Sequence, residues 1–296
     1  MTRFLVTGAT GYLGWRATHL LRERGHDVLP LARPGHRERA ASRALDGLVE
    51  ADAGAPSARE LVAGRDAVLH FAGVPDPRRA REDPARAVRE NAGTTLNLLE
   101  ACAQHGAGLV YPSSARAATA PDPYAISKLL GEEACRAHAA RATALRMTSV
   151  FGPGQVAWEG ATGAIAAFAA RALDGRPISI PGDPRRTRDF LYVDDFVDGI
   201  ERLVAAGAWP DLLYAGSGVA TPLQEAAELV VAAVSPADPA PIDLPGGDLP
   251  PGENDSYALD PQVPRLESPI RPLPEAVAAY VDWLRTHPAA QGRAGA

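Results

Sequence analysis

Tyr124 and Lys128 stand four residues apart in "PYAISKLLGEEACRAHAA", and a serine pair, Ser113 and Ser114, closes the run "AGLVYPSS" just upstream. On a helix that spacing puts Tyr124 and Lys128 on one face. A tyrosine is a poor base at neutral pH, with a pKa of about 10. A nearby ammonium stabilises the phenolate and lowers that value. Such a group can carry a proton to or from a substrate hydroxyl, with Ser113 and Ser114 placed to touch substrate and hold the same oxygen in line. A surface helix pair has the same spacing. Pro123 at the helix start and the serine-ended strand before it favour the catalytic reading.

A second chemical feature lies near the start, in "TGATGYLG". Gly8, Gly11 and Gly14 recur at every third position, with Thr10, Tyr12 and Leu13 between them. Without a Cβ, Gly8 and Gly11 let backbone N–H groups approach a pyrophosphate, and Gly14 lets the helix pack closely on the sheet. A helix N-terminus adds partial positive charge. A glycine-rich turn without a ligand is the plainer alternative, but the position between a strand and a helix is where this motif binds a dinucleotide.

These groups need a frame, and the hydrophobic pattern supplies one. "RFLVTG", "HDVLPLAR", "GLVEAD", "DAVLHFAG", "AGLVYPSS", "RATALRMTSVFG" and "LLYAGSG" read as strands. Between them run helices such as "YLGWRATHLLRERG", stopped by Gly25, and "PARAVRENAGTTLNLLEACAQHG", expected to carry Leu96, Leu99 and Cys102 inward from a start near Asn91. Alternation of this kind predicts an α/β fold, a Rossmann-type doubly wound parallel sheet. After about residue 150 the chain turns Pro/Gly-rich, which predicts a smaller C-terminal substrate lobe. The expected division is a dinucleotide-binding domain over 1–150 to which 189–217 returns, a lobe from 151–188 and 218–290, and a disordered tail at 291–296.

With 46% hydrophobic and 22% charged residues, the 296-residue composition is that of a soluble protein. A net charge of −6 argues against nucleic-acid binding. Two cysteines make no disulfide framework and no Cys/His cluster suggests a metal, so a reducing cytoplasm is expected. Neither a signal peptide nor a membrane span is expected.

The motifs together resemble the extended short-chain dehydrogenase/reductases, the branch of sugar-nucleotide epimerases and dehydratases. The glycine spacing, "HFAG" at 70–73, "NAGTTLNLLEACAQHG", "YPSSA" with "YAISK", "MTSVFGPG" and "RTRDFLYVDDFVDGI" run in family order from residue 3 to about 220. The resemblance implies Ser114, Tyr124 and Lys128 as catalytic residues. It implies a cofactor site including Phe71, Ala72, Gly73, Asn91, Val150, Asp52 and its neighbour Ala53. Asp52 reads equally as a turn former, and Asn91 as an N-cap. Lys128 is also implied to bind the nicotinamide ribose, Arg188 to reach substrate phosphates, and the Tyr124 helix to form a homodimer. Arg188 could instead pair with Asp189 or Asp194.

Ala32 stands where an NAD site usually ends its second strand with an acid, and Arg33 follows, with Arg37 and Arg39 beyond. A guanidinium suits the 2′-phosphate of NADP, so NADP is the preferred expectation and NAD the second. The sequence departs from the family at four places, one of them Ser149 before "VFGP", where the family has Asn. Ala115 and Arg116 replace the acidic pair of the 4,6-dehydratases, the segment between Ser114 and Tyr124 is short, and "PPGENDSYALD" lacks the arginine expected for a substrate diphosphate. The implied activity is hydride transfer between nicotinamide and a secondary alcohol or ketone of a sugar-like substrate, as an epimerase or a reductase. The alternative, a redox-inert dinucleotide-binding regulator, is disfavoured by the intact Tyr124 and Lys128.

Overall fold

The computed structural model describes residues 1–119, 122–156, 158, 163–249 and 262–290. The chain forms two compact units, residues 1–147, 197–215 and 261–268, and residues 148–196, 216–260 and 269–296.

In the first unit β1 (Arg3–Thr7) leads into α1 (Tyr12–Glu23), β2 (Asp27–Ala32), α2 (Arg37–Ser42), β3 (Val49–Glu50) and β4 (Ala67–His70). Then come α3 (Pro77–Glu82), α4 (Pro84–Val88), α5 (Thr94–His105), β5 (Gly108–Ser114), α6 (Pro123–Ala137) and β6 (Arg141–Met147). The second unit begins with β7 (Ser149–Phe151), α7 (Ala164–Leu173), β8 (Ile178–Pro181) and β9 (Thr187–Tyr192). Along α8 (Val193–Ala206) the chain re-enters the first unit and adds β10 (Leu212–Ala215). It closes in the second unit with β11 (Ala220–Pro222), α9 (Leu223–Val234), β12 (Ile242–Gly246) and α10 (Leu273–Thr286).

Seven strands pair in the order β10-β6-β5-β4-β1-β2-β3, and every pair is parallel. This is the doubly wound sheet that the strand–helix alternation predicts. Its strands are apolar runs because both faces are covered. Leu5, Val68 and Leu109 meet Leu98, Leu99 and Cys102 of α5 in one buried cluster.

Three expectations need correction. "RATALRMTSVFG" is two strands, since β7 leaves the large sheet and pairs with β9. The segment returning to the first unit is 197–215 rather than 189–217, and β9 lies in a three-stranded sheet of the second unit. Leu96 is 46% exposed, with Leu98 buried in its place, while Leu99 and Cys102 are buried. The inner face of α5 runs through Thr95, Leu98, Leu99 and Cys102, and at about 3.6 residues per turn Leu96 falls outside it. Arg89–Gly93 forms a π-helical turn between α4 and α5. Residues 250–261 and 291–296, which hold "PPGENDSYALD" and the expected tail, lie outside the described residues.

In the second unit Phe151 packs edge-on against Phe190, Tyr192 and Tyr280. The Tyr280 hydroxyl donates to the Gln155 carbonyl at 2.5 Å.

Candidate active site

Each glycine of the loop after β1 has a distinct task. Gly8 holds φ +66°, and a Cβ there would stand 2.7 Å from Phe71 and Ala72, in the loop after β4. Its smallness therefore lets the loop after β4 come close. A Cβ on Gly14 would stand 2.4 Å from the Gly8 carbonyl oxygen, so Gly14 lets α1 close on the loop. Gly11 is the N-cap of α1 in an extended conformation, no side chain caps it, and the first turn around Tyr12 and Leu13 carries no acid. A helix start that no side chain caps and whose first turn carries no acid fits a pyrophosphate. Thr10 is buried beside it, its hydroxyl 2.8 Å from His36 Nδ1.

The loop after β4 is fixed by two polar staples. The Thr7 hydroxyl accepts the Ala72 N–H at 3.1 Å and lies 2.8 Å from His70 Nδ1. His70 is fully buried, and desolvation, helped by the Lys128 charge, pushes it down to about 3. It is a neutral wall residue. The second staple is Asn91. Its Oδ1 accepts from Val74 N at 2.8 Å, and its Nδ2 donates to the Val74 carbonyl and, at 2.8 Å, to Ser127 Oγ. Ser127 donates in turn to the Tyr124 carbonyl. Asn91 is thus neither a helix start nor an N-cap: it sits inside the π turn and ties the β4 loop to α6. Gly73 must be glycine to admit it, since a Cβ there would stand 2.3 Å from Asn91 Oδ1.

Asp122 caps α6 by accepting from Ala125 N at 3.0 Å, with Pro123 at the first position. Burial works against its charge, but the Ala125 N–H and Arg116 hold the carboxyl below its usual range. Tyr124 follows and is buried against Val74, Ala80 and Ala87. One turn on, Lys128 is buried, donates to the Pro112 carbonyl at 2.8 Å and stands 5.1 Å above the Tyr111 ring. Its Nζ lies 5.9 Å from the centroid of Tyr124. Burial pushes the ammonium down to about 8, opposed by the charge of Glu132. Tyr111 fits under α6 because Gly131 has no side chain; a Cβ there would meet its ring at 2.3 Å.

Ser113 and Ser114 face opposite sides of β5, as consecutive strand residues must. Ser113 is fully buried and donates to Glu132 Oε1 at 2.5 Å, so the expectation that it touches substrate is corrected. Ser114 is half-buried, and its Oγ accepts from Arg116 N at 3.2 Å. Glu132 also takes Arg146, with Nη2 at 2.8 Å and Nε at 3.0 Å. Glu132 and Arg146 escaped the motif reading, although Tyr124, Lys128 and Glu132 at successive four-residue steps share one helix face. A compositional signal was also available. Lys128 is the only lysine among 30 basic side chains, so a chain that uses arginine for every other cation keeps an ammonium here.

At the end of β2, Ala32 is buried and Arg33 reaches Glu90 at 3.0 Å, with half its side chain exposed. Arg37 pairs with Glu50, whose carboxylate also accepts from Gly35 N and His36 N. Arg39 donates to the Thr10 carbonyl. Asp52 forms a turn, accepting from Gly54 N at 2.9 Å, and Ala53 is a core residue.

In the second unit Val150 pairs with Leu191. Arg188 is buried and donates to the Thr187 carbonyl, while Asp189 accepts from Ser217 and Gly218. Arg185 forms an exposed pair with Asp183. No group of side chains suited to a metal ion occurs among the described residues. Nor is any described helix long and apolar enough to cross a membrane.

A parallel doubly wound sheet carrying a glycine cradle and a Tyr-x-x-x-Lys helix defines an extended short-chain dehydrogenase/reductase. Residues 4–211 match the model of the NAD dependent epimerase/dehydratase family, and the chain belongs to that family. Among its relatives, dTDP-glucose 4,6-dehydratase of Streptomyces antibioticus is 28% identical over 95% of this chain and 92% of that protein. UDP-glucose 4-epimerase of Azospirillum brasilense is 31% identical over 66% of each chain. The solved structure of MoeE5 in complex with UDP-glucose and NAD superposes with a TM-score of 0.77 at 26% identity, covering 96% of this chain and 98% of that one.

Proposed function

We propose that this chain oxidises a secondary hydroxyl of a nucleotide-diphosphate sugar with a nicotinamide dinucleotide and returns the hydride to the same sugar, a net epimerisation. The observation that carries the reading is the juxtaposition on α6 of Tyr124 with a buried Lys128, next to the serine-ended β5. The bound dinucleotide supplies the hydride acceptor. Tyr124 takes the proton from the sugar hydroxyl at its phenolate oxygen, and the Lys128 ammonium stabilises that phenolate. Ser114 hydrogen-bonds the same sugar oxygen and holds it in line. The N-terminus of α1, with Gly11, Tyr12 and Leu13, binds the pyrophosphate. Dehydration is disfavoured because Ala115 is apolar and Arg116 is committed to Asp122.

Within the same proposal Arg33 meets a 2′-phosphate and makes NADP the preferred cofactor, with NAD accepted. Its pair with Glu90 is exposed and so easily exchanged. Arg188 is assigned to substrate phosphate and Val150 to the cofactor. Leu96 on α5 and Ile126, Leu129 and Leu130 on α6 are exposed apolar residues, which supports a homodimer through these two helices. Two buried thiols suit a reducing cytoplasm.

The test is to incubate the protein with a panel of UDP- and dTDP-hexoses and follow both product stereochemistry and cofactor. Epimer formation with catalytic, enzyme-retained cofactor supports the proposal. Stoichiometric consumption of added NADPH with a ketone substrate replaces it with the reductase reading.

A further inference from the structure

Beneath the catalytic face lies a buried ionic layer that the reaction scheme above leaves unused. Glu132 is one turn beyond Lys128 on α6 and almost fully buried. Three donors converge on its carboxylate: Ser113 Oγ at 2.5 Å, Arg146 Nη2 at 2.8 Å and Arg146 Nε at 3.0 Å. Charge-assisted bonds of this kind fix the orientation of the carboxylate. Ser113 immediately precedes Ser114, so the same carboxylate anchors the strand end that presents the substrate-facing serine. We propose that Glu132 is a positioning residue for the reaction: pinned by Arg146 and Ser113, its carboxylate keeps the buried Lys128 charged while Tyr124 ionises.

The surroundings of Lys128 leave this task to Glu132. From β5 it is faced by Tyr111, whose phenol burial keeps protonated, and from β4 by His70, which is neutral. On its own helix stand Tyr124 and Glu132. Cys135, near Glu132 and Tyr111, stays a thiol, as burial pushes it up to about 12. Arg146 of β6 also bonds Tyr214 of β10, and it reaches Lys128 only through Glu132. Among these groups the one negative charge is the Glu132 carboxylate. A buried ammonium without such a partner drifts toward the neutral amine. A neutral Lys128 cannot stabilise the Tyr124 phenolate.

This inference rests on the proposed roles of Tyr124 and Lys128, and the chain permits a test that separates the two. Lys128 is its only lysine, so full-length protein labelled with 15N-lysine has a single side-chain nitrogen signal. That signal is titrated in wild type, Glu132→Gln, Glu132→Asp and Glu132→Gln/Arg146→Gln, and the pH profile of kcat is measured in parallel. The double variant leaves no unpaired buried arginine and carries the test if Glu132→Gln does not fold. The expected result is a Lys128 midpoint lowered by about one pH unit or more in both glutamine variants. The alkaline limb of kcat should move with it, and Glu132→Asp should stay near wild type. An unmoved midpoint in a folded glutamine variant overturns the inference. A moved midpoint with a stationary alkaline limb overturns it as well. Full turnover in Tyr124→Phe would instead overturn the functional reading.

Discussion

Two charged regions of the first unit are built on opposite principles. Between β5, β6 and α6, Ser113, Glu132, Arg146 and Lys128 are removed from water and each has a hydrogen-bonded partner inside the protein. In the loops after β2 and β3, Arg33, Arg37 and their acidic partners meet largely in solvent. Losing one partner of a buried pair costs about 3–5 kcal/mol, whereas an exposed pair is worth about 0–1 kcal/mol. The region under the catalytic face is therefore rigid and intolerant. The region at the end of β2 is soft, so it tolerates substitution without endangering the fold.

The sharpest way to break that contrast is Tyr124→Phe. It removes the proton carrier and keeps the ring against Val74, Ala80 and Ala87, so kcat should fall by roughly 10²–10⁴-fold with cofactor affinity unchanged. Near-normal turnover would remove Tyr124 from the reaction. Lys128→Arg keeps the charge and should still lose at least about 10²-fold, because a guanidinium is planar and too large for the pocket between Pro112 and the Tyr111 ring. Wild-type kinetics in that variant would mean that charge alone suffices.

Gly14→Ala sets two effects against each other. Helix propensity favours alanine by about 1 kcal/mol. The new Cβ, however, meets the Gly8 carbonyl at 2.4 Å, in a backbone contact that cannot yield. Overpacking of this kind costs about 1–3 kcal/mol. A lower Tm and lost dinucleotide binding are expected, and a raised Tm would show that α1 can shift outward.

His70 sharpens the comparison through pH. Its folded value of about 3 lies below the ordinary 6.5, so the unfolded chain binds the extra proton between those values. Stability is then complete above about pH 6.5 and falls on acidification, by roughly 1.4 kcal/mol per unit. From pH 7 to 5 urea unfolding should show a loss of about 2 kcal/mol that His70→Gln lacks. Parallel curves for the two proteins would place His70 in contact with water. The smallest effect belongs to the soft region. Arg33→Ala should weaken NADP about tenfold and leave NAD unchanged, as measured by titration. Equal affinities before and after would show that Arg33 serves only Glu90.

Much of this was open to reading along the chain. Strand and helix alternation is a local pattern, and seven strand segments were recognisable because buried parallel strands are continuous apolar runs. Tyr124 and Lys128 were legible because four-residue spacing on one helix needs no tertiary information. What could not be read were contacts between distant segments. Leu96 turned outward because the inner face of α5 centres on Leu98 and Cys102, and which side of a helix meets the sheet is set by packing. Asn91 was read as a helix start because its partners, Val74 and Ser127, lie on other elements.

The amino-acid sequence by itself determined the class of fold, the glycine-led start of α1 and the face that carries Tyr124 and Lys128, since all three follow from short-range sterics and periodicity. Only the tertiary structure decided that Gly8 yields to Phe71 and Ala72, that Ser113 turns inward while Ser114 does not, and that Glu132 and Arg146 lie beneath Lys128. The physical reason is that each of these depends on which side chains are brought together out of water. Desolvation there opposes the charge of Lys128 and sets the neutrality of His70, and it is a property of packed elements rather than of any one segment.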